Sequence, residues 1–209
     1  MGVIKIIRIY TDTSANLPEE LIQRYGLGVI PFEYTVDGKK QDAETFSGKR
    51  FYDAMRAGAE VKTSMINPAE FGERFREELA AGNDVIYVGM SGGISGSAHA
   101  AELAAAQLRA EFPARRIATI DTYAASLGEG MQAVNAARLL DEGVGFDGIV
   151  NRISAERQEM CQYFTVDELE YLKRGGRIGR VATAIGTALK IKPLLMGDEK
   201  GRIVMCGRV

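Results

Sequence analysis

The chain has no tryptophan, a single histidine and two cysteines among its 209 residues. Each shortage removes a class of chemistry. His99 stands alone, and Cys161 and Cys206 fall at no metal-ligand spacing from it or from each other, so a cysteine–histidine zinc site has no ligand set. The two distant cysteines read as free thiols in a reducing cytosol. A surplus of one charge is lacking as well: 26 basic residues face 28 acidic ones, for a net charge of −2. That balance supplies no general field to attract nucleic acid. Long hydrophobic runs are missing too. The segment Val3 to Tyr10 is interrupted by Lys5 and Arg8 and is too short for a signal-peptide core, and no stretch approaches the roughly 20 apolar residues of a membrane span. The expectation is a soluble, cytoplasmic protein with no metal, no nucleic-acid partner and no integral membrane span.

What the chain does have is a repeated unit of apolar run, polar loop and helix-favouring stretch. Ile6 to Tyr10, Val85 to Met90 and Arg116 to Ile120 read as buried parallel strands, because each is a short apolar run that stops at a polar cluster. Asn16 is expected to cap a first helix, with Pro18 in its first turn. Helices are also expected over residues 51–57, 68–80, 98–110 and 129–141. This alternation is the pattern of an open, mostly parallel α/β sheet with flanking helices. Ligands of such sheets bind beyond the carboxyl ends of the strands, so residues 12–14, 91–97 and 121–126 should converge on one rim.

Residues 29–36 and 39–41, joined by Asp37-Gly38, read as a hairpin inserted over about 29–45. A second hydroxyl-bearing loop follows at 61–68. Near residue 145 the pattern changes to a helix over 146–156, a strand-like 160–166, a helix over 167–173 and the basic turn Arg174-Gly175-Gly176-Arg177. A helix through 181–189 and a hairpin over 191–206 complete the chain. The expected division is residues 1–144 as an N-terminal α/β domain and 145–209 as part of a second one, whose last sheet lacks a covering element.

The stretch with most chemistry is Asp84 to Met90 followed by Ser91-Gly92-Gly93-Ile94-Ser95-Gly96-Ser97. Three serines and three glycines at the start of a helix present hydroxyls and unsatisfied N–H groups where the helix dipole is positive, which suits a carboxylate or a phosphate. The loop has neither the GKS/GKT ending of a P-loop nor the GxGxxG spacing of a dinucleotide fold. Glycine and serine also occur in any tight strand-to-helix turn.

Ser95 and His99 share a helix face, but a nucleophile needs a base aimed at its hydroxyl and a third orienting group, and neither is indicated. His99 reads as a helix-surface residue. Asp12 and Asp121 end strands on the presumed rim. Capping of the adjacent loop amides is the favoured role, and a metal-binding or acid/base pair is the alternative. The Arg174-Gly175-Gly176-Arg177 turn is either a solvated helix-to-helix connection or a source of arginine that contacts an anion or rigidifies a neighbouring loop.

Taken in order, these motifs resemble the DegV family of bacterial fatty-acid-binding proteins, which includes the lipid-binding subunits of fatty acid kinase. The matching residues are Asp12-Thr13-Ser14-Ala15-Asn16-Leu17-Pro18, Thr63-Ser64 with Pro68, Ser91 to Ser97, and Asp121-Thr122 with Ser126 and Gly128. They continue through Leu169-Glu170-Tyr171-Leu172-Lys173-Arg174-Gly175-Gly176-Arg177-Ile178 and Lys190-Ile191-Lys192-Pro193. The resemblance covers essentially the whole chain.

It implies two α/β domains of EDD type with a long-chain fatty acid between them. Thr63 and Ser95 would hydrogen-bond the carboxylate, Ser64, Gly96 and Ser97 would shape that pocket, and Arg177 would lie near the head group or a partner-binding surface. The implied protein is a carrier rather than an enzyme, with no cofactor, whose partner is a dihydroxyacetone-kinase-like fatty acid kinase subunit. Two hydroxyls and helix-terminal amides can hold a carboxylate without a buried cation. Many relatives carry threonine at the position of Ser97, often have Gln-Pro where this chain has Met65-Ile66-Asn67-Pro68, and typically extend further and place a histidine near their C-terminus. By that comparison the second domain reads as C-terminally incomplete. The alternative function is a small-molecule enzyme acting on a phosphorylated or carboxylated metabolite.

Overall fold

Every residue of strand β6 (Asp84–Gly89) is buried, and alternate side chains point to opposite faces of the sheet. Val85 and Tyr87 pack on one side against Phe71, Phe75 and Leu79 of α3 (Pro68–Ala80) and Ala100, Ala101, Ala104, Ala105 and Leu108 of α4 (Ser97–Glu111). Ile86 and Val88 pack on the other against Ala133, Ala136 and Ala137 of α5 (Leu127–Asp141) and Phe146, Ile149 and Ile153 of α6 (Phe146–Glu156). Helices on both faces explain why this strand is written as a continuous apolar run. The alanine faces of α4 and α5 keep those helices close to the sheet.

The computed structural model describes residues 6–41, 46–179, 181 and 192–208. Its main sheet runs β2-β1-β6-β7, with every neighbouring pair parallel. The strands are β1 (Ile7–Asp12), β2 (Gly28–Ile30), β6 and β7 (Ile117–Asp121). The protein is therefore α/β, a parallel sheet flanked by helices, and the three expected strands lie side by side in it, β7 forming one edge.

Three local expectations change. Gly28–Ile30 does not start the hairpin but forms the parallel edge strand β2 beside β1. Pro31, which has no N–H for a ladder, follows it at once. The hairpin is β3 (Tyr34–Val36) with β4 (Lys39–Gln41), and β5 (Val61–Thr63) joins β3 on its other side. Thr63 thus ends a strand, in register with Tyr34. Asn16 does not cap α1 (Glu19–Tyr25), which Pro18 precedes. It sits in the left-handed region, φ 50°, and closes the single 3₁₀ turn Thr13–Ala15, a conformation asparagine tolerates better than most residues. Helix α2 covers Gly48–Arg56 behind a Ser47 cap.

The C-terminal part forms an antiparallel sheet of order β10-β9-β8, from β8 (Tyr163–Phe164), β9 (Pro193–Gly197) and β10 (Ile203–Arg208). The expected hairpin is β9–β10, and the upstream β8 extends it on one edge. Helix α7 (Leu169–Arg174) places Leu169 in a small core with Val181 and Leu195. Beyond Val181, the expected helix over 181–189 and the Lys190-Ile191 part of the last motif lie outside the described residues. Helix α6 belongs to the core of the main sheet, so a division at 144/145 would cut through that cluster.

Candidate functional site

Strands β1, β6 and β7 are parallel, so their carboxyl ends meet at one rim. There the Gly92 N–H donates to Asp121 Oδ2 at 3.0 Å, the Ser91 N–H to the Ala124 carbonyl at 2.8 Å, and Asn16 Nδ2 to Ser126 Oγ at 3.0 Å. The three polar loops expected to converge do so. Asp121 also accepts the Tyr123 N–H at 3.0 Å, and Asp12 accepts the Ser14 N–H at 2.9 Å. Both aspartates cap loop amides.

The serines of the loop divide their labour. Ser91 is fully buried; its hydroxyl donates to the Gly201 carbonyl at 2.8 Å and accepts the Gly93 N–H at 3.1 Å, tying the β9–β10 turn to the rim. Ser97, also fully buried, accepts the Ile66 N–H at 3.1 Å and lies 3.0 Å from Ser95 Oγ. It locks the loop after β5 against the start of α4. Ser95 is bonded to Ser97, while His99 is exposed on α4.

Two cavities meet at this rim. The larger, about 450 Å³, lies between the main sheet and the small β3 sheet; its wall includes Leu17, Ile22, Phe32, Tyr34, Phe46 and Phe51. The smaller, about 290 Å³, is lined by hydroxyl residues Thr13, Ser14, Thr63, Ser64 and Ser95, together with Phe32, Met90, Ile94 and Arg177. Thr13, Phe32 and Thr63 belong to both walls. Thr13 Oγ1 accepts the Phe32 N–H at 3.0 Å and so fixes the shared edge.

Of the sequence-predicted residues, Thr63, Ser64, Ser95 and Arg177 come together around the smaller cavity. Arg177, though exposed, reaches back to donate from Nε to the Ile94 carbonyl at 3.2 Å. Gly96 and Ser97 line neither cavity. A Cβ on Gly96 would stand 2.5 Å from Met65 Sδ, so that glycine gives the Met65 side chain room to pass. Among the described residues no group of three or more acidic, histidine or cysteine side chains is arranged to hold a metal.

Sequence reasoning missed Phe32, Met90 and Ile94 as wall residues, and it placed Thr13 and Ser14 on the rim without naming either as a ligand-binding residue. The usable signal was the Thr13-Ser14 pair at the end of a buried strand. It also passed over Glu129, which is fully buried in α5. Glu129 Oε1 lies 3.1 Å from Thr11 Oγ1, and Oε2 lies 2.7 Å from Ser14 Oγ. Burial, then the charge of Asp12, pushes the Glu129 carboxyl well above the usual range. Burial and the neighbouring Asp12 likewise push Tyr87 up, and its hydroxyl donates to Asp12 Oδ2 at 2.6 Å.

Comparison with known proteins gives one answer. The DegV family model matches residues 6–209. A DegV domain-containing protein of Clostridium perfringens is 33% identical over 199 residues, covering 93% of this chain and 68% of that protein. A fatty-acid-binding DegV family protein from Thermus thermophilus superposes with a TM-score of 0.84 at 34% identity, over 98% of this chain and 71% of the other. A fatty-acid-binding DegV family protein from Streptococcus agalactiae gives 0.86 at 31% identity, over 99% and 72%. A stearic-acid-binding protein from Eubacterium ventriosum gives 0.86 at 25%, over 98% and 71%.

Proposed function

The chain belongs to the DegV family, and from that premise we propose that it binds a long-chain fatty acid and presents the carboxylate to a separate ATP-dependent fatty acid kinase subunit. The acyl chain occupies the apolar cavity of about 450 Å³, and the carboxylate occupies the adjoining one of about 290 Å³. The observation that carries this reading is the wall shared through Thr13, Phe32 and Thr63, which joins a compartment holding Leu17, Ile22, Phe46 and Phe51 to one bordered by the Ser14, Ser64 and Ser95 hydroxyls and by Arg177. An amphiphile with one anionic end fits this pair, its acyl chain against the aromatic and aliphatic side chains and its head beside the hydroxyls and Arg177.

Thr63 and Ser95 act as the hydroxyl donors to the carboxylate, with Ser64 beside them and Arg177 supplying the nearby positive charge. Ser97 and Gly96 act from behind, by holding the Thr63 loop and letting it approach. Burial of the acyl chain dominates affinity, at about 0.8 kcal/mol for each CH₂ removed from water. The hydroxyls set orientation, because an unpaired carboxylate in the apolar compartment would cost far more than one held by donors.

A carrier fits the rim better than an enzyme does. Asp12 and Asp121, the two aspartates of the rim, are occupied in capping loop amides. The reading carries with it a cytoplasmic location, no cofactor, and a second α/β unit built from the C-terminal sheet, with α6 assigned by its packing to the first. The kinase partner would approach beside Arg177, where Gly93, Gly176 and Arg202 border a further recess of about 310 Å³.

Native mass spectrometry of the purified protein, with lipid analysis of an organic extract, tests the reading. The expected result is a mass increment equal to a fatty acid, or its acquisition on incubation with stearate. A protein that neither carries nor acquires a fatty acid would overturn it.

A further inference from the structure

Beneath the floor of the hydroxyl-lined cavity lies a cluster that the lipid-binding reading does not use. Ser14 Oγ is within hydrogen-bonding reach of both Asp12 Oδ1 and Glu129 Oε2, the latter at 2.7 Å. Thr11 Oγ1 lies 3.1 Å from Glu129 Oε1. Three hydroxyl–carboxyl contacts are therefore served by two hydroxyl protons, since a serine or threonine hydroxyl donates only once. The Tyr87 hydroxyl cannot make up the difference, because its proton goes to Asp12 Oδ2. The third proton must come from a carboxyl.

Which carboxyl holds it follows from the partners. Asp12 accepts the Tyr87 hydroxyl and the Ser14 N–H as well as the Ser14 hydroxyl, a set that stabilises an anion. Glu129 is fully buried as well, but its side-chain partners are the Thr11 and Ser14 hydroxyls and the Asp12 carboxyl, and among the described residues no N–H donates to it. Two carboxylates bridged by one hydroxyl in a buried site do not both ionise. Among the described residues no lysine or arginine donates to either. Glu19 and Glu20 of α1 are exposed, Glu156 of α6 accepts from Asn135, and Arg157 donates to the Asp121 carbonyl.

We propose that Glu129 is held as a neutral acid that donates its proton to Ser14 Oγ, and that this makes it the positioning residue for the Thr13–Ala15 turn walling the head-group cavity. The order of donation is Glu129 to Ser14 and Ser14 to Asp12, with Tyr87 closing the far side of Asp12. Ser14 then presents a fixed oxygen to the cavity, and Thr13 beside it keeps Phe32 in place. The direction in which burial and Asp12 push the Glu129 carboxyl agrees with this arrangement. The proton assignment stands on the hydrogen-bond geometry; only its effect on affinity rests on the fatty-acid reading.

Infrared spectroscopy of the whole protein at pH 7 tests it directly. The expected spectrum contains a protonated-carboxyl band that shifts on ¹³C-glutamate labelling and is missing from Glu129→Gln. A folded wild-type protein without that band overturns the proposal, whatever the variants do. Stearate titrations supply the second readout. Glu129→Ala is expected to weaken binding about tenfold, the size of one lost buried hydrogen bond, and Glu129→Gln, which keeps a donor facing Ser14, to restore it. Equal weakening by both variants would count against the positioning role. A wild-type protein that shows the band but takes up no stearate would overturn the fatty-acid reading and leave the proton assignment standing.

Discussion

The backbone N–H of Ile66 donates to Ser97 Oγ at 3.1 Å, and both residues are fully buried. This bond joins the segment that follows Thr63 at the end of β5, and carries Ser64, to the loop that carries Ser95. It converts two hydroxyl-bearing turns, far apart in the chain, into one wall. Ser97→Ala leaves the Ile66 N–H without that acceptor in a buried place. The expected loss is about 1–3 kcal/mol of stability, measured by urea denaturation. A threonine at this position keeps the hydroxyl and should cost less.

The double variant Thr63→Ala with Ser95→Ala removes the proposed carboxylate donors while leaving the Leu17, Ile22, Phe46 and Phe51 wall of the larger cavity in place. Each hydrogen bond contributes about 0.5–1.5 kcal/mol, so the pair should weaken stearate binding by roughly tenfold or more in calorimetry. Unchanged affinity would place the carboxylate elsewhere.

Arg177 is exposed, so its attraction for an anion is screened by salt. Arg177→Ala should therefore weaken stearate more than stearyl alcohol, and the difference should shrink at high ionic strength. Titrations of both ligands at two salt concentrations measure this. Equal losses for acid and alcohol would assign Arg177 to loop packing alone.

Gly93 lies against the turn between β9 and β10: a Cβ there would stand 2.7 Å from the Gly201 carbonyl carbon and the Lys200 oxygen and 2.8 Å from the Arg202 nitrogen. These are backbone atoms, and they cannot swing aside as a side-chain end would. Gly93→Ala should cost about 1–3 kcal/mol by overpacking. It should also loosen the Ser91–Gly201 bond, read as faster amide exchange at Gly93, whose N–H donates to Ser91 Oγ.

The raised Glu129 carboxyl gives a signed pH dependence. Its folded state keeps a proton that the unfolded chain has released above the ordinary carboxyl range, so the folded protein binds more protons in that window. Stability is then full below the unfolded value and falls as pH rises towards the folded one, by up to about 1.4 kcal/mol per pH unit for one proton. Denaturation midpoints from pH 5 to 8, about the span over which most proteins are near maximal stability, should decline in the wild type and flatten in Glu129→Gln. Parallel profiles would mean that Glu129 is ionised in both states.

Much of the fold was legible because its signals are local. A short apolar run ending in a polar cluster marks a doubly covered strand wherever it stands, so β1, β6 and β7 could be read without their partners. Strand β2 could not. Its three residues, Gly28–Ile30, look like the start of the neighbouring hairpin, and only β1 alongside makes them a parallel edge. At the site, Thr63, Ser64, Ser95 and Arg177 were legible as hydroxyls and a cation in ordered motifs, whereas Phe32 and Ile94 were not, because an apolar wall residue looks like any core residue until the cavity is seen.

The sequence by itself determined that this is an α/β chain with an anion-compatible serine loop at the end of its central strand, because period, turn chemistry and helix termini act over a few residues. The tertiary structure decided which hydroxyl faces the cavity and which is spent behind it. Ser95 and Ser97 are two positions apart and chemically identical, and the choice between them is made by Ile66, 31 residues upstream of Ser97. The same holds for Glu129, whose neighbours Thr11 and Ser14 lie 118 and 115 positions away. Burial and partner geometry set what a polar side chain does, and both arise only when distant segments meet.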